Sequence, residues 1–123
     1  MRIALIAHDL KKPDFVRWVA GHAAWFAHHE LCATGTTGAQ IMAQCPELKI
    51  SCYKSGPLGG DQQIGALIAE GHIDLLLFFT DPMTPMPHDV DVKALTRLST
   101  LYNVPFACNE ATASLLLLGL NKD

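Results

Sequence analysis

Lysines, hydroxyls, acids and a histidine recur at turns that follow apolar runs, and together they could hold a phosphate and move a proton. The first such turn is His8-Asp9-Leu10-Lys11-Lys12, followed by Pro13. Proline suits the first turn of a helix and restrains the residue before it, which places Lys12 at a helix entrance. Lysines there oppose the helix dipole, which favours anions at that end by up to about 1 kcal/mol. Either the pair is solvated or a bound anion compensates it. The second turn is Thr34-Gly35-Thr36-Thr37-Gly38. One threonine is enough to cap a helix. Three hydroxyls with two glycines suit a phosphate approached closely by backbone N–H groups, although the stretch is neither a P-loop nor a dinucleotide fingerprint.

The third turn, Ser55-Gly56-Pro57-Leu58-Gly59-Gly60-Asp61-Gln62-Gln63, is the most unusual stretch of the chain. Asp61 opens a helix, where aspartate ordinarily serves as a cap. The dipole there keeps a carboxylate ionised and weakens it as a base, unless burial raises its pKa again. The fourth turn runs from Asp81 through Pro82, Pro85 and Pro87 to His88-Asp89-Val90-Asp91. Its prolines stiffen the loop. Asp89 and Asp91 suit the first turn of a helix on dipole grounds alone. His88 has no capping advantage; it is either a surface histidine or a donor to a carbonyl or alkoxide. The fifth turn, Asn109-Glu110-Ala111-Thr112, is polar but generic.

The elements that must position these turns follow from apolar spacing. Arg2–Ala7, Leu31–Ala33, Lys49–Tyr53, Ile73–Phe79 and Phe106–Cys108 read as strands, with Ile73–Phe79 central. Pro13–His28, Ala39–Gln44, Gln62–Glu70, Asp89–Tyr102 and Ala111–Leu118 read as helices. Strands that alternate with helices predict one α/β domain over residues 1–123, a Rossmann-like open sheet, mainly parallel and five-stranded, with helices on both faces. Such sheets bind ligands beyond the carboxyl ends of their strands, where the turns above lie. Four of the five turns carry residues capable of chemistry, as a site for a phosphorylated substrate requires.

Composition narrows the field further. Half of the 123 residues are hydrophobic, 17% are charged and the net charge is −3. That balance fits a packed globular domain and argues against a nucleic-acid surface, which shows a basic excess. No apolar run reaches the roughly 20 residues of a membrane span, and a strand begins at residue 2, so no signal peptide is expected and the compartment reads as cytoplasmic. Cys32, Cys45, Cys52 and Cys108 have no C-x-x-C spacing. Cys32, Cys52 and Cys108 lie in or beside strands and read as small core residues. His22, His28, His29 and His72 read as solvated. No zincin or serine-hydrolase motif occurs, and His8 and His88 with nearby acids give no distinctive metal-ligand spacing. Trp18, His22 and Trp25 form a second stripe on the first helix, which suits either a subunit contact or packing within the chain.

At these same turns the sequence resembles methylglyoxal synthases. The resemblance rests on His8-Asp9 with Lys12, on Thr34 to Gly38, on Ser55-Gly56-Pro57-Leu58-Gly59-Gly60-Asp61-Gln62-Gln63, on Asp81-Pro82, and on Pro87-His88-Asp89-Val90-Asp91-Val92-Lys93-Ala94-Leu95. It implies conversion of dihydroxyacetone phosphate to methylglyoxal and inorganic phosphate by a homohexamer, without metal or organic cofactor. Phosphate would be product and candidate inhibitor. By the family pattern Asp61 is the base that takes the C3 proton. Lys12, Thr34, Gly35, Thr36, Thr37, Ser55 and Gly56 would hold the phosphate, with Asp9 beside them. His8 and His88 would face the carbonyl and hydroxyl end, with Asp81 and Asp91 as supporting acids. Family members usually continue well past the last apolar helix, whereas this chain stops at Asp123, which leaves subunit contacts and phosphate regulation open. Two rivals share the turns: a non-catalytic effector module like the regulatory domain of carbamoyl-phosphate synthetase, and a sugar-phosphate isomerase.

Overall fold

Arg2–Ala7 is buried at every position after the first, so this strand (β1) has to be covered on both faces. In the computed structural model, which describes residues 1–84 and 89–120, β1 is the middle strand of the sheet. The others are β2 (Glu30–Ala33), β3 (Ile50–Cys52), β4 (Leu75–Phe79) and β5 (Phe106–Ala107). Among the described residues these five run in the order β3-β2-β1-β4-β5, and each neighbouring pair is parallel. Registering Ile3 with both Leu31 and Leu75 lines up the pleats, so alternate residues feed opposite layers.

The helices are α1 (Lys12–Gly21), α2 (Ala23–Phe26), α3 (Thr37–Gln44), α4 (Gly60–Ala69), α5 (Asp89–Leu101) and α6 (Glu110–Leu120). Ile3, Leu5, Leu75 and Leu77 meet Phe15 and Val19 of α1, Phe26 of α2, Ile41 of α3 and Leu117 of α6 on one face. Ala4, Ile6, Leu76 and Phe78 meet Ile64 and Ile68 of α4 and Leu95 of α5 on the other. Burying a large apolar side chain contributes about 1.5–3 kcal/mol, and both layers hold fully buried examples in Phe15 and Ile64. The predicted parallel α/β sheet with two helical layers is the observed one.

Several local expectations give way. The long helix read over Pro13–His28 is two, broken at His22, whose backbone leaves helical geometry at φ −121° and ψ 21°. The His22 ring Nδ1 lies 2.9 Å from the Trp18 carbonyl, and the His22 N–H turns to Val19 instead. A side chain competing for a helical carbonyl ends the ladder there, and it also leaves His22 half-buried rather than solvated. Trp18 is a core residue, stacked with Phe15 and donating from Nε1 to Ser114 Oγ at 3.0 Å. The subunit-contact reading of its stripe therefore fails at that position. Cys52 is exposed, because β3 is an edge strand whose last two residues face solvent. Cys32 is buried, and burial pushes its thiol up to about 11. The strand read as central, Ile73–Phe79, is one place from the middle and starts at Leu75.

Candidate active site

The turns after β1 to β4 close around a cavity of about 260 Å³. His8, Asp9 and Lys12 line it from the first turn, and Thr34, Gly35 and Thr37 from the second. Ser55, Gly56, Pro57 and Asp61 line it from the third, with Thr84 from the fourth and Ile6 and Phe78 as its floor. Nine of the residues named from sequence thus share one space.

Tight backbone contacts bring the second and third turns together. Gly35 adopts φ +55° and donates its N–H to the Lys54 carbonyl at 3.1 Å, and a Cβ on it would press on Ser55. Only glycine adopts that conformation routinely. Gly60 donates to the Ser55 carbonyl at 2.8 Å, and a Cβ there would collide with the Lys54 carbonyl. The loop from 54 to 60 is therefore folded flat onto its own backbone, which delivers Asp61 to the cavity.

Asp61 is not the helix cap. Gly59, at φ +107°, holds that position, and Asp61 stands second in α4, 3% exposed, with its side chain on the cavity wall. The cap expectation fails because Gly59 turns the chain with a left-handed residue and needs no side-chain acceptor. Thr36 precedes α3 as its cap residue but makes no side-chain capping bond. Its Oγ1 accepts instead from Lys12 Nζ at 2.9 Å, and the same Nζ lies 2.9 Å from Asp9 Oδ1. Neither α1, α3 nor α4 is capped by a side chain at its start. Uncapped N–H groups together with a lysine make a cradle for an anion. Thr36 itself stays exposed beside the cavity.

His8 is buried. Its ring Nδ1 accepts the backbone N–H of Asp81 at 2.7 Å, and its plane meets Phe78 at 79° with centroids 5.0 Å apart. Asp81 lies behind the cavity wall rather than on it. Its carboxylate accepts the Met83 N–H at 3.0 Å. The Thr84 hydroxyl first, then the N–H groups of Met83 and Thr84 and the charge of Lys11, hold that carboxyl below its ordinary 3.8, against burial, which raises it. A lowered folded value means the ionised form stabilises the fold above the unfolded value, and the contribution is lost as pH falls through the folded one. Asp81→Asn should accordingly lie below the wild type in thermal unfolding midpoint by a margin that is steady above about pH 5 and shrinks below about pH 4. A margin constant down to acid pH would contradict the assignment.

Asp91 does not line this cavity. In the first turn of α5 it accepts from Gln62 Nε2 at 2.7 Å and lines a groove between α4 and α5, which Asp61 borders from the other side. The expectations for His88, with Pro85 and Pro87, lie outside the described residues. Asn109 proves to be a cap, its Oδ1 accepting the Thr112 N–H at 2.9 Å. Thr84 escaped the sequence reading. An Asp three residues before a threonine in a proline-rich turn was the available signal, since such acids bond their own following backbone.

An MGS-like domain model matches residues 14–108. A methylglyoxal synthase of Brucella anthropi is 57% identical over 121 residues, which is 98% of this chain and 97% of that protein. The chain belongs to the methylglyoxal synthase family. A methylglyoxal synthase of Brucella ovis is 56% identical over the same length. The crystal structure of methylglyoxal synthase from Elizabethkingia anophelis superposes with a TM-score of 0.88 at 52% identity, covering 94% of this chain and 76% of that one. The resemblance first seen at the turns therefore extends through the whole sheet. The domain model starts at residue 14, after His8, Asp9 and Lys12, but the Brucella match takes in 98% of the chain.

Proposed function

We propose that this chain is a methylglyoxal synthase: a lyase that converts dihydroxyacetone phosphate to methylglyoxal and inorganic phosphate. One observation carries the reading beyond kinship. The buried Asp61 carboxylate and the Lys12 end of the anion cradle line the same small cavity.

The phosphate sits against Lys12, the start of α3 at Thr36 and Thr37, and the Thr34, Gly35, Ser55 and Gly56 backbone. Its three-carbon body then reaches toward Asp61. Asp61 removes a proton from C3, whose acidity the adjacent ketone raises, and the electron pair forms an enediolate across C3 and C2. His8 and His88 donate to the developing oxyanion, where a positioned donor is worth about 10²–10³ in rate. The C–O bond to phosphate breaks, phosphate leaves with that electron pair, and the released enol tautomerises to methylglyoxal. Atoms balance with no water or oxidant consumed. Asp9 holds the Lys12 cation in place, and Asp81 and Asp91 act on residues of the site. Free phosphate fits the same cradle and is a competing ligand. We place the protein in the cytoplasm as a homohexamer; the outward Leu115 and Leu118 of α6, 68% and 67% exposed, support association of copies. No helix among the described residues is long and apolar enough to cross a membrane.

Adding dihydroxyacetone phosphate and assaying both products tests the reaction: methylglyoxal and phosphate should appear in equal amounts. Formation of glyceraldehyde 3-phosphate would make the chain an isomerase, and binding without turnover would make it an effector module. Lys12→Ala should raise KM about 10- to 100-fold with a smaller change in kcat, because a bond to a charged group contributes about 1.5–3 kcal/mol. An unchanged KM would remove Lys12 from the cradle.

A further inference from the structure

We propose that the turn from Asp81 to Thr84 locks His8 as the neutral imidazole that carries its hydrogen on Nε2, so that His8 serves the site as a donor and never as a base or a cation. The catalytic meaning of this rests on the synthase reading; the tautomer itself does not.

A backbone N–H can only donate, so the 2.7 Å contact from Asp81 makes Nδ1 the acceptor. In a neutral ring the hydrogen must then be on Nε2, which is buried. Protonating Nδ1 would set two N–H groups against each other at that distance. The donor cannot easily turn aside. Asp81 accepts the Met83 N–H through its own carboxylate, and Thr84 bonds the same carboxylate. The His8 backbone N–H is fixed to the Phe79 carbonyl at 3.1 Å, and Phe78 packs edge-on against the ring.

Charged groups around His8 come from three elements. Asp9 and Lys12, in its own turn, pair with each other. Asp61 enters from α4, and Asp81 follows β4 with Lys11 near it; His88 lies outside the described residues. The acids favour an imidazolium, while burial and the Asp81 N–H oppose it. The N–H opposition is direct contact, and the three carboxylates already have cations or donors beside them or face the substrate cavity. A neutral donor has a chemical advantage in this reaction. It stabilises the enediolate without handing over a proton, so the negative charge remains to expel phosphate. Asp81 is on this account a positioning residue, acting on substrate through His8.

The test is nitrogen-15 spectroscopy of histidine-labelled protein, without substrate. The His8 signals are those of the chain's six histidines that vanish in His8→Gln. We expect an unprotonated Nδ1 and a protonated Nε2, unchanged over about pH 5 to 8. A hydrogen on Nδ1, or conversion to the doubly protonated ring within that range, overturns the proposal. In Asp81→Ala the freed turn should let His8 titrate in that window, and the kcat profile should gain an additional inflection there beyond the acid limb of the Asp61 base. A folded Asp81→Ala in which His8 still does not titrate would show that the turn is not the lock. Should that variant fail to fold, the wild-type spectrum still decides the tautomer.

Discussion

Asp61→Asn is expected to lower turnover of dihydroxyacetone phosphate by about 10²–10⁴-fold, the worth of one positioned base, while the protein folds and binds substrate almost as before. Asparagine has the shape of aspartate, so the 3%-exposed position keeps its packing. Helix capping is unaffected, because Gly59 and not Asp61 holds the cap position of α4. The phosphate cradle of Lys12 and the α3 start lies on other turns, so KM should move little. What changes is basicity: an amide cannot accept the C3 proton. The comparison needs steady-state kinetics and thermal unfolding of both proteins. Near-normal turnover in a folded variant would place the base elsewhere.

Gly60→Ala is the second large effect, and it acts on the fold. A Cβ at residue 60 would overlap the Lys54 carbonyl and come within 2.9 Å of the Ser55 oxygen. Both are backbone, so no rotamer change relieves the clash, and Gly60 already donates to that Ser55 carbonyl. The loop must open, at a cost of about 3 kcal/mol or more. Opening it also carries Ser55, Gly56 and Asp61 away from the cavity, so activity should fall with stability. Gly21→Ala is the control: no atom lies within 4 Å of its Cβ, and its unfolding midpoint should stay close to wild type. Equal midpoints for the two variants would mean that the loop is looser than its contacts indicate.

The sheet was legible in sequence because each buried strand is a short apolar run bounded by turn residues, and Leu75–Phe79 shows this most clearly. The site was legible because the parallel topology sends every such turn to one rim. What escaped depends on contacts between segments distant in sequence or on backbone conformation. Glycine at 59 reads equally as loop or as cap, and only its φ of +107° demotes Asp61 from capping and frees it for the cavity. The Thr36 hydroxyl looked like a cap until Lys12, 24 residues away, claimed it. Asp91 reads as a first-turn acid of its helix, and only the fold brings it to Gln62 across the α4–α5 groove. His22 sits on a perfect helical stripe and yet ends the helix, because its ring competes for the Trp18 carbonyl.

Turnover requires that the phosphate and the reacting carbon of one substrate molecule occupy the cavity together. A crystal structure of Asp61→Asn with dihydroxyacetone phosphate bound measures it directly. The phosphate should contact Lys12 and the first N–H groups of α3, and C3 should lie about 3–3.5 Å from the residue 61 side chain. Phosphate bound away from Lys12, or C3 out of reach of residue 61 with the phosphate in its cradle, would contradict it.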